Sequence, residues 1–410
     1  MKIHIKSKDI LAFQILLTAF VALSNFKPVL YIAQLICLVI LFQKVVKNGY
    51  RVKCKEYCIF FGSFTIWSFL SIGWAAVPDY SLVACKSIIQ AFFIGLIIMM
   101  IISSPEKIDD MLRTFPFANI VMIVCLVIET KPSEWASIVH GTYTVASAEG
   151  RLGYSIGLFP NSLGEICAVF STVLYYLYIK EKEKKYLALI LLDFVIVLLT
   201  KSRTSLFFML FCLIGVIFFY AKKAGKVKVI LISLCSCVVL LWAVLNIPAL
   251  YEVIGFRVEG LIGVFNSSKY VTDDSTLGRM KLLRAGIKIF ESSPLIGVGI
   301  NNYGYYAYNY GGIWTIVPAH NNYIELLADI GIIGTLFYYI LIYVSLFRGM
   351  RMIKRTNQEQ RAVLSVLLIL LIYRAIADFF GVSYLEDFLQ VMNFICIAGI
   401  TRMYYKRKSR

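Results

Sequence analysis

Charge is what this chain lacks. Only 16% of its 410 residues are Asp, Glu, Lys or Arg, against 60% hydrophobic residues and a mean hydropathy of +0.77; that balance excludes a water-soluble fold of this size. Histidine is scarce as well, with three in the whole sequence. Ten cysteines are present, yet none lies in a segment that the charge pattern places outside the membrane, where disulfides would be permitted. Most sit in apolar runs as small hydrophobes. Cys54 and Cys58 stand at i, i+4 without a second ligand pair, so no zinc motif is present. A soluble domain, a low-complexity tract and an obvious internal repeat are all missing.

What is present is a train of apolar runs. A bilayer-spanning helix needs about 20 largely apolar residues, and about twelve runs qualify, starting near Ile10, Pro28, Tyr57, Leu82, Met111, Ser162, Tyr186, Arg203, Val227, Asn322, Ala362 and Leu385. The first follows Lys2, Lys6 and Lys8 with no small-residue cleavage site, and reads as an uncleaved first helix. The expectation is an all-α polytopic membrane bundle, one domain over residues 1–410.

The net charge of +17 invites a nucleic-acid reading, but its placement argues for a membrane and against nucleic acid. About 28 of the 41 basic residues fall on one side, most of them in the N-terminus, Lys44 to Lys55, Lys180 to Lys185, Lys222 to Lys228, Arg348 to Arg361 and Lys406-Arg407-Lys408. The opposite connections include Ala76 to Ser81, with no basic residue, and the polar segment Asn246 to Ala319, whose few charges nearly balance. Both termini are therefore expected in the cytoplasm. The large loop, residues 246–320 when His320 is included, is expected outside, together with the shorter piece Thr130 to Asn161.

Inside the large loop, Asp273-Asp274-Ser275 reads as a helix start, with Thr276 to Glu291 following and a stop before Pro294. Helical spacing groups Arg279 with Leu282, Leu283, Gly286, Ile287 and Phe290, and sets Lys281, Arg284 and Lys288 opposite. An arginine on an apolar face calls for a partner, and a buried anion is one way to supply it. Arg203 lies in Thr200-Lys201-Ser202-Arg203-Thr204-Ser205, a short turn between two spans where free N–H groups already favour an anion. In the shorter outer piece, Arg151 and Asn161 are the polar residues of interest, with Asn161 or Ser162 an expected N-cap.

His320 opens a span. Two neighbouring guanidinium groups are expected to keep its imidazole neutral near pH 7 and able to accept a proton. Beyond it, Asn321, Glu325 and Asp329 follow at i, i+4, i+8, a polar stripe about 12 Å long. Ionisable groups at such depth mark functional cavities. Glu325 would orient the site or balance its charge, and Asp329 would do the same or serve as an internal salt-bridge partner; Lys86, Glu165, Asp193 and Arg374 have no assignable role. Gly297-Val298-Gly299-Ile300-Asn301-Asn302 lacks the third glycine and the βαβ setting of a dinucleotide loop. No metal or cofactor is expected.

Several of these pieces, in this order, resemble the O-antigen ligase and polymerase superfamily. They are Gly150-Arg151 through Phe159-Pro160-Asn161, then Ser202-Arg203, then Gly278-Arg279 with Ser293-Pro294-Leu295-Ile296-Gly297-Val298-Gly299, and finally His320 through Gly334. The likeness covers roughly residues 150 to 345; the family usually has Glu at the position of Asp329. It implies a metal-independent glycosyltransferase of the GT-C type that takes an undecaprenyl-diphosphate-linked oligosaccharide as donor. By the same likeness Arg203 and Arg279 would hold the diphosphate and stabilise it as leaving group, and His320 would activate the acceptor hydroxyl or hold it with the phosphate; Arg151, Asn161, Asn321 and Glu325 are the expected substrate contacts. The expected activity is polymerisation of lipid-linked repeats, with a flippase and a chain-length regulator as partners. A ligase moving the finished glycan to lipid core, cell wall or protein is the nearest alternative, and a transporter or flippase the next.

Overall fold

The computed structural model describes residues 8–22, 32–36, 39, 43, 55–140, 150–221, 227, 242, 246, 274–311, 313 and 315–408. Regular structure among them is entirely helical. In chain order the helices are α1 (Lys8–Ala22), α2 (Lys55–Leu70), α3 (Pro78–Ile101), α4 (Glu106–Leu112), α5 (Phe115–Glu129), α6 (Pro132–His140), α7 (Pro160–Glu181), α8 (Lys185–Leu199), α9 (Arg203–Tyr220), α10 (Asp274–Ser292), α11 (Tyr303–Gly311), α12 (Asn322–Ile353), α13 (Gln358–Ala377) and α14 (Asp387–Lys408).

Seven of the described segments are long and apolar enough to cross a membrane: Lys55–Trp74, Pro78–Ile101, Glu106–Glu129, Pro160–Glu181, Arg203–Tyr220, Asn322–Ile353 and Gln358–Ala377. They coincide with seven of the expected spans. Of the rest, the runs near Ile10 and Tyr186 form the 15-residue helices α1 and α8, which are short for a span. The run near Leu385 forms α14, whose end carries Lys406, Arg407 and Lys408. Most of the runs near Pro28 and Val227, and the stretch 247–273 of the loop with Asp273, lie outside the described residues.

The described residues of 1–40, 108–273 and 353–370 make one compact unit. Its centre is α7, which opens with Pro160 at a position that needs no N–H donor and packs against α8 and α9. Asp193 on α8 ties three helices together: its carboxylate accepts from Asn119 Nδ2 on α5 at 2.8 Å and from Ser171 Oγ on α7 at 3.1 Å. A buried carboxylate so bonded has a structural reason to be there.

Residues 41–107, 274–352 and 371–410 supply the second unit. Here α3 packs on α2 and α14. At one end Arg348 grips Glu56 with two parallel bonds of 2.6 and 2.8 Å, and its guanidinium lies 4.9 Å from the centre of the Tyr404 ring, the bidentate and stacked geometry to which arginine is suited. At the other end α12 is broken. Gly331 takes φ 65°, ψ −172° inside it, a conformation open to glycine and strained for other residues. A Cβ there would stand 2.2 Å from the Leu295 carbonyl oxygen.

Candidate functional site

The break at Gly331 frees backbone groups, and the Ser293–Asn302 segment takes them up. Val298 and Gly299 N–H donate to the carbonyls of Ala328 and Asp329 at 3.0 and 2.7 Å, while Ile332 and Ile333 N–H donate to Pro294 and Leu295. Trp67 Nε1 donates to the Ile330 carbonyl at 3.0 Å. The glycine-rich run is thus a splint on a broken helix. Gly297 is needed for the fit, since a Cβ there would lie 2.3 Å from the Asp329 carbonyl.

Asp329 extends the splint with its side chain. Its carboxylate accepts the N–H groups of Asn301, Asn302 and Tyr303 at 2.7, 3.1 and 2.6 Å. It therefore caps the N-terminus of α11, satisfying donors that the helix itself leaves open. The salt-bridge partner expected of Asp329 is replaced by these backbone N–H groups. Glu325, one turn earlier and 3% exposed, accepts the Ala319 N–H at 2.7 Å. Asn321 is the N-cap of α12, its Oδ1 accepting the Ile324 N–H at 3.0 Å.

His320 sits between these anchors with φ 51°, a left-handed conformation that histidine visits more readily than most side chains. Such strain persists only where the surroundings enforce it. Ala319 is held by Glu325 on one side, and on the other the Asn322 N–H donates to the Asp378 carbonyl at 2.7 Å. The residue keeps an exposed surface, yet the protein crowded round the ring removes much of its water. That desolvation first, and the Arg279 charge second, hold its pKa below the ordinary histidine value. Charge from the arginines was the expected cause; burial is the larger one.

Arg279 is half-buried on α10. The buried stripe of that helix runs through Leu282, Ala285, Gly286 and Ile289, while Leu283 and Ile287 are exposed. Arg279 therefore stands at the edge of the docked face, and two of the apolar residues expected beside it face outward. Docking on α11 explains the rotation: Tyr303 Oη donates to the Leu282 carbonyl at 2.6 Å, and Tyr303, Ala307, Ala285 and Ile289 share one core. Lys281, Arg284 and Lys288 are exposed, as expected.

In the first unit Arg203 begins α9 behind the N-cap Ser202, whose Oγ accepts the Ser205 N–H at 3.3 Å. Arg151 bridges two helix ends, donating from Nε to the Thr200 carbonyl at 2.8 Å and from Nη2 to Asn161 Oδ1 at 2.7 Å. Asn161 is in the first turn of α7, with Phe159 at the cap and no side-chain cap bond; Pro160 starts the helix two residues earlier than an Asn161 cap, and three earlier than a Ser162 cap, would require. Arg151, Asn161 and Arg203 thus gather round one turn, and His320, Arg279, Asn321 and Glu325 round another.

Two features escaped the sequence. Lys201 is 3% exposed with φ 51°, immediately before the Arg203 cap. Asp378, fully buried, pairs with Arg374 at 2.5 Å and accepts from Tyr339 Oη at 2.7 Å and Ser383 Oγ at 2.6 Å. The i, i+4 spacing of Arg374 and Asp378 was the available signal for that pair.

Residues 188–339 match the family model described as O-antigen ligase. The matched stretch holds Arg203, Arg279, His320, Glu325 and Asp329 together, and it supports the O-antigen ligase and polymerase superfamily. No curated protein matches the chain significantly.

Proposed function

We propose that this chain, a multi-helix membrane protein with an O-antigen ligase domain, is a bacterial polysaccharide polymerase that transfers a glycan from undecaprenyl diphosphate to a lipid-linked repeat unit. The observation that carries the reading is the single family match over residues 188–339, which contains both arginines and the histidine. The acceptor hydroxyl oxygen attacks the anomeric carbon of the donor. Its proton passes to His320, the bond from that carbon to the diphosphate oxygen breaks, and undecaprenyl diphosphate leaves with the electron pair. Arg203 and Arg279 balance the charge that develops on the leaving group, where preorganised cations are most effective. A neutral imidazole is the form needed for the first step, and the lowered pKa of His320 favours it. Glu325 and Asn321 act on the site through the backbone around His320, and Arg151 and Asn161 form the rim near Arg203.

The reaction belongs on the outer face of the inner membrane, with both termini in the cytoplasm, because the short loops carry the basic residues on the other side. A flippase delivering the repeat unit and a chain-length regulator are the fitting partners. The printed description of the matched family favours a second reading, a ligase that passes the finished glycan to another acceptor. Purified protein incubated with a defined lipid-linked repeat separates them. A ladder supports polymerisation; a single transfer that requires an added lipid core, wall polymer or protein supports ligation. No transfer to any of these, with movement of the intact lipid-linked repeat across a vesicle bilayer, would replace both by transport.

A further inference from the structure

We infer that α11 is a glycan-binding platform, on which the exposed rings of Tyr305 and Tyr308 carry the saccharide chain of the substrate; this rests on the glycan-transfer reading and extends it from the diphosphate to the sugars. The helix reads Tyr-Gly-Tyr-Tyr-Ala-Tyr-Asn-Tyr-Gly. Tyr303 and Ala307 face inward at 1% exposure each, while Tyr305 at 36%, Tyr308 at 48% and Asn309 face outward. At about 100° per residue the three outward side chains share one arc of the helix. A pyranose ring offers a face of C–H groups and a rim of hydroxyls. Tyrosine answers both, with an apolar ring and a polar tip; the Asn309 amide donates to the Tyr305 carbonyl at 2.8 Å, which leaves its oxygen as an acceptor beside the rings.

The platform is rigid. Its N-terminus is held by the Asp329 carboxylate through three N–H groups, and its inner face by the bond from Tyr303 to the Leu282 carbonyl. A backbone held in place before the ligand arrives loses little freedom on binding. The helix is also continuous with the candidate site: Tyr303, Ala307, Val317 and Ala319 belong to one core, and Ala319 immediately precedes His320. A sugar chain lying on Tyr305 and Tyr308 is thereby supported by the same small core that seats the histidine.

Membrane headgroups are the competing occupant of exposed tyrosines. A helix that lies in a membrane surface presents cations together with large aliphatic or aromatic residues. Helix α10 does so, with Lys281, Arg284 and Lys288 beside exposed Met280, Leu283 and Ile287. Helix α11 shares the aromatic residues but has no charged residue and no aliphatic side chain larger than alanine.

The test uses the full chain in detergent. Free oligosaccharides, released by mild acid from the producing cell's own lipid-linked pool, are titrated into wild type, Tyr305→Ala/Tyr308→Ala and Tyr305→Trp/Tyr308→Trp, with binding read by saturation-transfer NMR. The double alanine variant should lose about tenfold in affinity, the double tryptophan variant should retain it, and undecaprenyl diphosphate should bind all three alike. Both residues are exposed, so the variants should melt like wild type. Equal oligosaccharide affinity in the double alanine variant overturns the platform. So does a defect confined to liposomes with unchanged affinity in detergent, which would assign the tyrosines to headgroups. If wild type binds none of the pool, the glycan-transfer reading itself fails, and the platform with it.

Discussion

The Glu325 carboxylate accepts the Ala319 N–H at 2.7 Å, which commits a buried acid to the residue just before His320. One turn further along α12, Asp329 commits a second acid to the start of α11. Two carboxylates that share a helix face thus hold the two ends of the segment that delivers the histidine. Both accept from backbone N–H groups.

Glu325→Gln therefore keeps the structure while Glu325→Ala does not. Glutamine retains a carbonyl oxygen that reaches Ala319, whereas alanine leaves a buried N–H without an acceptor, a loss of about 1–3 kcal/mol. Melting in detergent should fall clearly for Glu325→Ala and little for Glu325→Gln, with turnover following the same order. Native melting combined with lost turnover in Glu325→Gln would mean that the charge itself is used on substrate.

For Asp329 the order is graded. Its Oδ1 accepts from Asn302 and Tyr303 and its Oδ2 from Asn301, so Asp329→Asn keeps two bonds at most and turns an amide N–H toward a third donor. Hydrogen exchange across Tyr303–Gly311 should speed up modestly in Asp329→Asn and strongly in Asp329→Ala, since loss of a cap costs about 0.5–2 kcal/mol. Unchanged exchange in Asp329→Ala would show that α11 is held by its core alone.

The sequence made the membrane helices legible because length and apolarity suffice to announce a span; the seven long ones fall where the apolar runs begin. It also exposed the polar stripe Asn321, Glu325, Asp329, because a 3.6-residue period survives in any helix. The partners of those acids were not legible. Ala319 and Asn301–Tyr303 contribute only backbone N–H groups, which every residue but proline carries, so no side-chain pattern marks them. The break at Gly331 was hidden for a related reason: the Leu295 carbonyl that leaves no room for a Cβ there is brought close only by the fold. The face of α10 was misjudged because Ala285 and Gly286 dock through smallness, whereas hydrophobic weighting favours the exposed Leu283 and Ile287.

Arg279 at the edge of that docked face should be intolerant of lysine. A bidentate contact to a diphosphate needs the planar guanidinium fork, which an ammonium does not reproduce. Arg279→Lys is expected to lose nearly as much kcat/KM as Arg279→Ala, while Lys281→Ala and Lys288→Ala, both on the exposed face, change it little. Equal loss at all four would point to a diffuse electrostatic surface instead of a defined contact.

His320→Ala should fold and melt like wild type, because the imidazole keeps an exposed surface and the backbone on both sides is held by Glu325 and Asp378; glycan transfer should be lost. The protonation behaviour gives a sharper reading. Neutral imidazole is the active form, so transfer should hold steady at higher pH and fall as pH drops through the pKa of His320, which lies below the ordinary value near 6.5. Arg279 is the second cause of that depression. Arg279→Ala should therefore raise the pKa and Arg279→Lys, which keeps the charge, should leave it in place; burial remains in both variants, so the rise is partial. With three histidines in the chain, NMR titration of the ring protons, assigned by comparison with His320→Ala, reads the shift directly. A histidine pKa at or above the ordinary value in wild type, or transfer that stays constant as the ring protonates, would remove His320 as the base and leave it a residue that holds phosphate or shapes the loop.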